Sequence, residues 1–167
     1  MMRIPFSPLI LGLAGLIPFI WGAATTHLPD LQAWGAAELG PRFVGPYVQL
    51  FYGSVILSFM SGVLWGFATK TSGAQAALGY VLSVLPALWA FFMTGGGPEV
   101  AAQNLIYGFA GLFLLDYVFF QWELTPPWWM RLRLLLTAIV LLSLSAGLYQ
   151  CSTRKPSRSM PAQPRIM

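Results

Sequence analysis

Asp116 is the residue that poses a chemical question. It lies inside the apolar run "GLFLLDYVFF", and Arg131 and Arg133 follow shortly afterwards in "PPWWMRLRLLLT". A lone ionised carboxylate in hydrocarbon costs roughly 2.5–3.5 kcal/mol even on a lenient insertion scale, so it must be paired, protonated or hydrated. Asp116 lies seven residues before Glu123, roughly 10 Å along a helix. Arg133 lies five residues past Trp128, roughly 7.5 Å. If two antiparallel helices meet at this turn, the carboxylate and the guanidinium share a depth. One reading is a structural ion pair, Asp116–Arg133, that locks the two helices. The other is an Asp116 that carries a proton or binds an ion. The pair is preferred, because a partner is at hand and no second acid lies deep in another apolar run. Arg131 lies nearer the turn and suits Glu123 or lipid phosphate.

Other reactive side chains are sparse. His27 is the single histidine and Cys151 the single cysteine. One thiol makes no internal disulfide, and the pair cannot build a multi-ligand metal site. His27 could ligate haem only with a partner's ligand or an open position, and reads as an interfacial side chain. Cys151 reads as a free thiol near the surface. "TGGGPE" lacks the Lys-Ser/Thr ending of a phosphate loop. No Ser-His-Asp or Cys-His set is identified. No catalytic, cofactor-binding or metal residue is therefore assigned, and no enzymatic activity is expected.

The elements that position Asp116 follow from composition. Of 167 residues 57% are hydrophobic and 8% charged, with mean hydropathy +0.68. Soluble domains carry about 25% charged residues. An all-α integral membrane bundle of five transmembrane helices with short loops is expected. The spans run from about Ser7 to Thr26, Val44 to Thr69, Ala74 to Thr94, Val100 to Trp122 and Trp129 to Gln150. They form one transmembrane domain over residues 1–150. The basic, Pro- and Ser-rich tail 151–167 is expected to be disordered. A rival reading makes the first span a cleaved signal peptide, leaving four. Retention is preferred, since the run is long and holds Pro18 and Trp21. Between the first two spans "PDLQAWGAAELGP" reads as a short surface helix, with an irregular loop as the alternative.

Within the spans, Ser54, Ser58, Gly62 and Gly66 recur every four residues. Small side chains at this spacing let helices approach closely in lipid. Internal packing is the preferred role, against Gly12 and Gly15 or Gly108 and Gly111; docking of another subunit is the alternative. Pro18 and Pro86 each remove a backbone donor and mark helix kinks. Trp34, Tyr47, Trp122, Trp128, Trp129 and Tyr149 form the aromatic belt of the membrane interface. Trp65 and Trp89 lie deeper and read as space filling.

The net charge of +4 is split among chain ends and loops. It reads as topology signal and contact with lipid headgroups, with no nucleic acid as partner. Arg3, Lys70, Arg131 and Arg133 fall on the side of the N-terminus, which is placed inside. The basic tail argues for the reverse.

"LGLAGLIPF", "YGSVILSFMSGVLWG", "LSVLPALWA", "LLDYVFF" and "PPWWMRLRLLLT" run in this order along nearly the whole chain. In this the sequence resembles the uncharacterised family of small multi-pass membrane proteins that includes mitochondrial transmembrane protein sixty-nine and proteobacterial relatives. The resemblance implies a five-helix protein of a bacterial or mitochondrial inner membrane. It implies no reaction, and gives Asp116, Pro127, Trp128, Arg131 and Thr137 only membership of a shared pattern.

Three functions remain. The first is a non-catalytic accessory or assembly protein of a larger, energy-transducing membrane complex, with lipids and other membrane proteins or itself as partners and no cofactor. The second is a small oligomeric transporter or channel with Asp116 in its path, which needs more polar lining than Ser54, Ser58, Ser61, Ser83, Gln103 and Asn104 provide. The third, a lipid-modifying enzyme, lacks a visible catalytic cluster.

Overall fold

In the computed structural model, residues 4–153 are described. Seven α-helices follow one another: α1 (Phe6–Ala14), α2 (Ile17–His27), α3 (Pro29–Glu38), α4 (Gly45–Ala68), α5 (Gly73–Met93), α6 (Pro98–Gln121) and α7 (Trp129–Thr153). A 3-10 turn at Pro41–Phe43 links α3 to α4. Taken together as Phe6–His27, α1 and α2 are long and apolar enough to cross a membrane, as are α4, α5, α6 and α7 to Tyr149. Side chains such as Phe91 and Leu142, 78% and 71% exposed, point outward, which suits lipid and not water. The first three tail residues form the last turn of α7. The rest of the expected disordered tail, from residue 154, and Arg3 lie outside the described residues, and so does the side chain of Cys151.

Proline and glycine punctuate the spans. Pro18 has no N–H to give the carbonyl of Ala14, four residues back, and α1 ends at Ala14. The chain passes through a turn at Gly15–Leu16 before α2 begins. By contrast, α5 runs on through Pro86. Nearby, the Ser61 hydroxyl of α4 donates to the Ser83 carbonyl. Between α5 and α6, Gly96 and Gly97 hold φ of 90° and 105°, a region closed to most L-residues. Here Asn104 Nδ2 donates to the Met93 carbonyl (2.7 Å), and Trp89 Nε1 to the Asn104 carbonyl (2.6 Å). Trp89 thus ties α5 to α6 and does more than fill space.

α4 is central and packs against α2, α5 and α6, while α7 closes the bundle against α6 and α2. The core joins Phe19 of α2, Leu57 and Leu64 of α4, Leu105, Phe109, Leu112 and Phe119 of α6, and Leu144 of α7. The first span is thus part of the core. Gln49 of α4, 2% exposed, donates from Nε2 to the carbonyls of Phe19 (2.8 Å) and Ser143 (3.1 Å), joining α2, α4 and α7. Gly22 makes room for it. A Cβ on Gly22 would lie 2.4 Å from Gln49 Cγ and 3.0 Å from the Gly45 carbonyl oxygen.

The small-residue stripe of α4 needs correction. Gly62 and Gly66 are exposed, and a Cβ on either would meet none of the described residues within 4 Å. Ser58 is exposed too, and Ser54 is half-buried. Their hydroxyls return to carbonyls of their own helix, at Ser54 and Leu50. The buried face is the neighbouring one, with Gly53, Leu57, Ser61, Leu64 and Ala68. The expected counterparts lie elsewhere: Gly12 faces Leu136 of α7, Gly108 faces Leu57 and Trp89, and Gly111 faces open space. The internal packing role is therefore overturned, because the stripe looks away from the bundle.

The surface helix between spans one and two is α3. Pro29 opens it and Asp30 sits in its first turn. Trp34 and Leu39 are more than half exposed, while Leu31 is half-buried. Trp21 anchors the following turn through a 2.8 Å bond to the Phe43 carbonyl.

Candidate functional site

The turn from α6 to α7 sets the site. Glu123 takes φ of 59°, so the chain leaves α6 abruptly. Leu124 N–H donates to the Phe119 carbonyl (3.1 Å) and Glu123 N–H to the Phe120 carbonyl (2.9 Å). This pair of bonds closes a helix C-terminus in the Schellman manner, here with a glutamate where glycine is usual. Leu124 folds back into the core beside Phe119. Lys70, in the loop after α4, donates from Nζ to the Leu124 carbonyl (3.0 Å). The loops after the second and fourth spans therefore meet at one end of the bundle, as alternating antiparallel spans require.

From this turn α7 runs back along α6 and brings Arg133 to Asp116. Arg133 Nε donates to Asp116 Oδ2 at 2.6 Å. Asp116 is fully buried and Arg133 is 5% exposed. The other carboxylate oxygen, Oδ1, accepts from Trp129 Nε1 at 2.8 Å. The carboxylate thus faces one charged and one neutral donor, both from α7. By sequence Trp129 is only an interfacial anchor. Its indole also packs edge-on against Phe67 of α4, 5.1 Å between centroids. Sequence offered one hint: Trp129 is a whole turn before Arg133, on the same face of the helix.

Arg131 is exposed, as are Glu123 and His27. Arg133 does not belong with the loop cations, because it is buried in the ion pair.

Beside the pair lies a cleft of about 650 Å³ between α1, α4 and α7. Its walls are almost wholly apolar and include Leu11, Ile56 and Val63, with Trp128 also among the lining residues. Arg133 and Thr137 also line it, one helical turn apart, whereas Asp116 does not. Thr137 is 5% exposed. Arg133 Nη2 and Thr137 Oγ1 have no hydrogen-bond partner among the described residues. Among these residues no group of three or more His, Cys, Asp or Glu is placed to hold a metal ion.

A bundle of five long apolar helices, with a buried ion pair and no extended soluble unit among the described residues, defines a multi-pass α-helical membrane protein. The chain belongs to the family described as "Protein of unknown function (DUF3429)", whose model matches residues 4–149. It is similar to transmembrane protein 69 of Xenopus tropicalis, 31% identical over 163 residues, which cover 95% of this chain and 60% of the relative. The chain therefore spans about three fifths of the length of the curated relative it matches. No solved structure matches it.

Proposed function

We propose that this chain is a non-catalytic accessory or assembly subunit of a larger membrane complex. The observation that carries the reading is the outward face of α4. Ser58, Gly62 and Gly66 form a shallow track along the C-terminal half of the span, and among the described residues no atom lies within 4 Å of where a Cβ on either glycine would stand. Lipid tails are as apolar as leucine, so helices in a bilayer associate through close packing, and small residues permit it. A helix of another subunit fits such a track better than disordered acyl chains do. Within the bundle, Asp116 and Arg133 act as the lock between α6 and α7.

The test is co-purification in mild detergent, followed by native electrophoresis and mass spectrometry of the isolated species. The wild-type chain is expected in a stoichiometric complex of defined mass. Gly62→Leu and Gly66→Leu are expected to release it while the chain's own thermal midpoint stays unchanged. A chain that runs alone, or a complex indifferent to both substitutions, overturns the reading. No observation favours transport through Asp116, whose two oxygens are both engaged and which does not line the cleft.

The proposed location is an inner, energy-transducing membrane with the N-terminus inside, as the family resemblance and the first-helix rule imply. Lys70 and Arg131, with the single acid Glu123, lie at the N-terminal end of the bundle, against Arg42 with Asp30, Glu38 and Glu99 at the other, and basic loops stay inside. Arg133 adds nothing to this bias, being buried. In a Cys151→Ser background, an impermeant maleimide applied to intact cells should label Gly96→Cys and spare Ser72→Cys until the cells are lysed. The opposite pattern reverses the orientation.

A further inference from the structure

The first span is broken, and its two halves are held very differently. α2 is fixed in the bundle. Phe19 is 1% exposed, and its carbonyl accepts from Gln49 Nε2. Thr25 Oγ1 accepts from the Gly45 N–H at the head of α4. By contrast, α1 is the one span-forming helix with no buried residue among those described. It comes closest to α7 at Gly12, where a Cβ would meet Leu136 Cδ1 at 2.9 Å, the free end of a flexible side chain. Between α1 and α4 the cleft of about 650 Å³ takes the place of packed side chains.

Nor does the backbone bind the halves together. In an unbroken helix each carbonyl accepts from the N–H four residues on. Here the N–H groups of Phe19 and Ile20 both turn to the Leu16 carbonyl, and Pro18 has none to give. Gly15 and Leu16 donate back to Leu11 and Leu13, but no described backbone bond runs from α2 to α1. The carbonyls of Gly12 and Ala14 are left without a backbone donor. A break of this kind, with a glycine in it, can serve as a hinge.

A donor stands beside the hinge. Tyr52 of α4 lines the cleft, half-buried, and its hydroxyl makes no hydrogen bond to a described residue. Tyr52 Oη lies 3.6 Å from the point where a Gly15 Cβ would stand, and the Gly12 carbonyl oxygen lies 3.3 Å from that same point. One is an unused donor and the other an unused acceptor, and each is costly to leave open in a membrane. Gly15 lies near the middle of the span Phe6–His27, below the reach of lipid headgroups. The partner of Tyr52 at that depth must therefore come from the chain itself.

We propose that α1 is a hinged half-helix that swings about Gly15–Leu16 onto α4, closes the cleft, and is latched there by Tyr52 Oη donating to the Gly12 carbonyl. The open arrangement admits lipid tails to the cleft, and the latched one excludes them. This is a property of the bundle itself, whether or not the chain serves in a larger complex.

The full chain, in a Cys151→Ser background and in phosphatidylcholine nanodiscs, is spin-labelled at Phe6→Cys on α1 and Ala77→Cys on α5, both exposed positions. Double electron–electron resonance is expected to resolve two distances. The nine residues of α1 span roughly 13.5 Å, so a swing of some 20–30° separates the two by roughly 5–6 Å. The latched state is the shorter, because the swing carries α1 towards α4, on which α5 packs. Ile20→Cys on α2, paired with Ala77→Cys, should give one narrow distance. Tyr52→Phe keeps the ring edge-on to Phe19 and removes the latch donor. Gly15→Ala sets a methyl group between donor and acceptor. Each should deplete the shorter distance roughly 3-fold, as for one hydrogen bond made within a membrane. Tyr52→Phe removes no bond of the open form, so its thermal midpoint should hold. A single narrow distance for the Phe6 pair overturns the proposal. So do two distances indifferent to both substitutions, or an Ile20 pair as broad as the Phe6 pair.

Discussion

Asp116→Ala is expected to lower folding stability by about 3–5 kcal/mol, among the largest effects a single change can have in this chain. The loss does not measure the worth of the ion pair. It reflects the guanidinium of Arg133 left charged, buried and unpaired, with Trp129 Nε1 also stripped of its acceptor. Arg133→Met leaves the opposite charge stranded and is expected to cost a similar amount. The double variant Asp116→Leu/Arg133→Met removes both charges at once. Replacing a buried pair by apolar groups of like volume is often neutral or stabilising, so most of the loss should return. Exchanging the charges, as Asp116→Arg/Arg133→Asp, should restore part of it. Thermal unfolding in detergent, read by fluorescence-detected size exclusion, measures all four variants. Additive losses in the double variant would mean that the two residues act independently.

Gly22→Ala is the second large expectation. The added methyl group would sit 2.4 Å from Gln49 Cγ, 2.8 Å from Val48 Cγ1 and 3.0 Å from the Gly45 carbonyl oxygen. Neither a Cγ nor a backbone carbonyl can simply swing aside. Either α2 withdraws from α4, or Gln49 gives up the carbonyls of Phe19 and Ser143. Overpacking and the loss of buried hydrogen bonds together make about 2–4 kcal/mol. Gly62→Ala and Gly66→Ala are the contrast. Among the described residues no atom waits for their methyl groups, and helix propensity favours alanine by up to about 1 kcal/mol. Their thermal midpoints should hold or rise, where that of Gly22→Ala falls. A Gly22→Ala protein as stable as the wild type would refute the close α2–α4 contact.

The sequence made some of this legible. Five apolar runs of span length suffice to foretell five long helices, because a bilayer demands that length and every backbone bond inside it. The meeting of Asp116 and Arg133 follows from helical rise and a short turn. The orientation of α4 was not legible. In a soluble helix the polar face marks the outside, but α4 is apolar all round, and lipid is no more polar than its neighbours. Ser54, Ser58, Gly62 and Gly66 looked inward by pattern, yet the inward face is the one with Gly53, Leu57, Leu64 and Ala68. Pattern alone does not single out Gln49, although a lone amide within an apolar helix must find partners, here the carbonyls of Phe19 and Ser143. The second partner of Asp116 was hidden for a related reason. Trp129 sits where interfacial tryptophans gather, and its bond inward shows only in three dimensions.

Neutrality of the buried pair has an electrical consequence. One turn or more in from the span ends, Asp116 and Arg133 are the only acidic or basic side chains among the described residues. A membrane potential exerts about 2.3 kcal/mol per elementary charge per 100 mV on a charge that crosses it. On the pair moving as a unit, it exerts no net work. A shift of α6 and α7 that carries Arg133 and Asp116 together therefore moves no net charge from this site through the field. Parting the two, with one moving alone, would turn the same site into a gating charge.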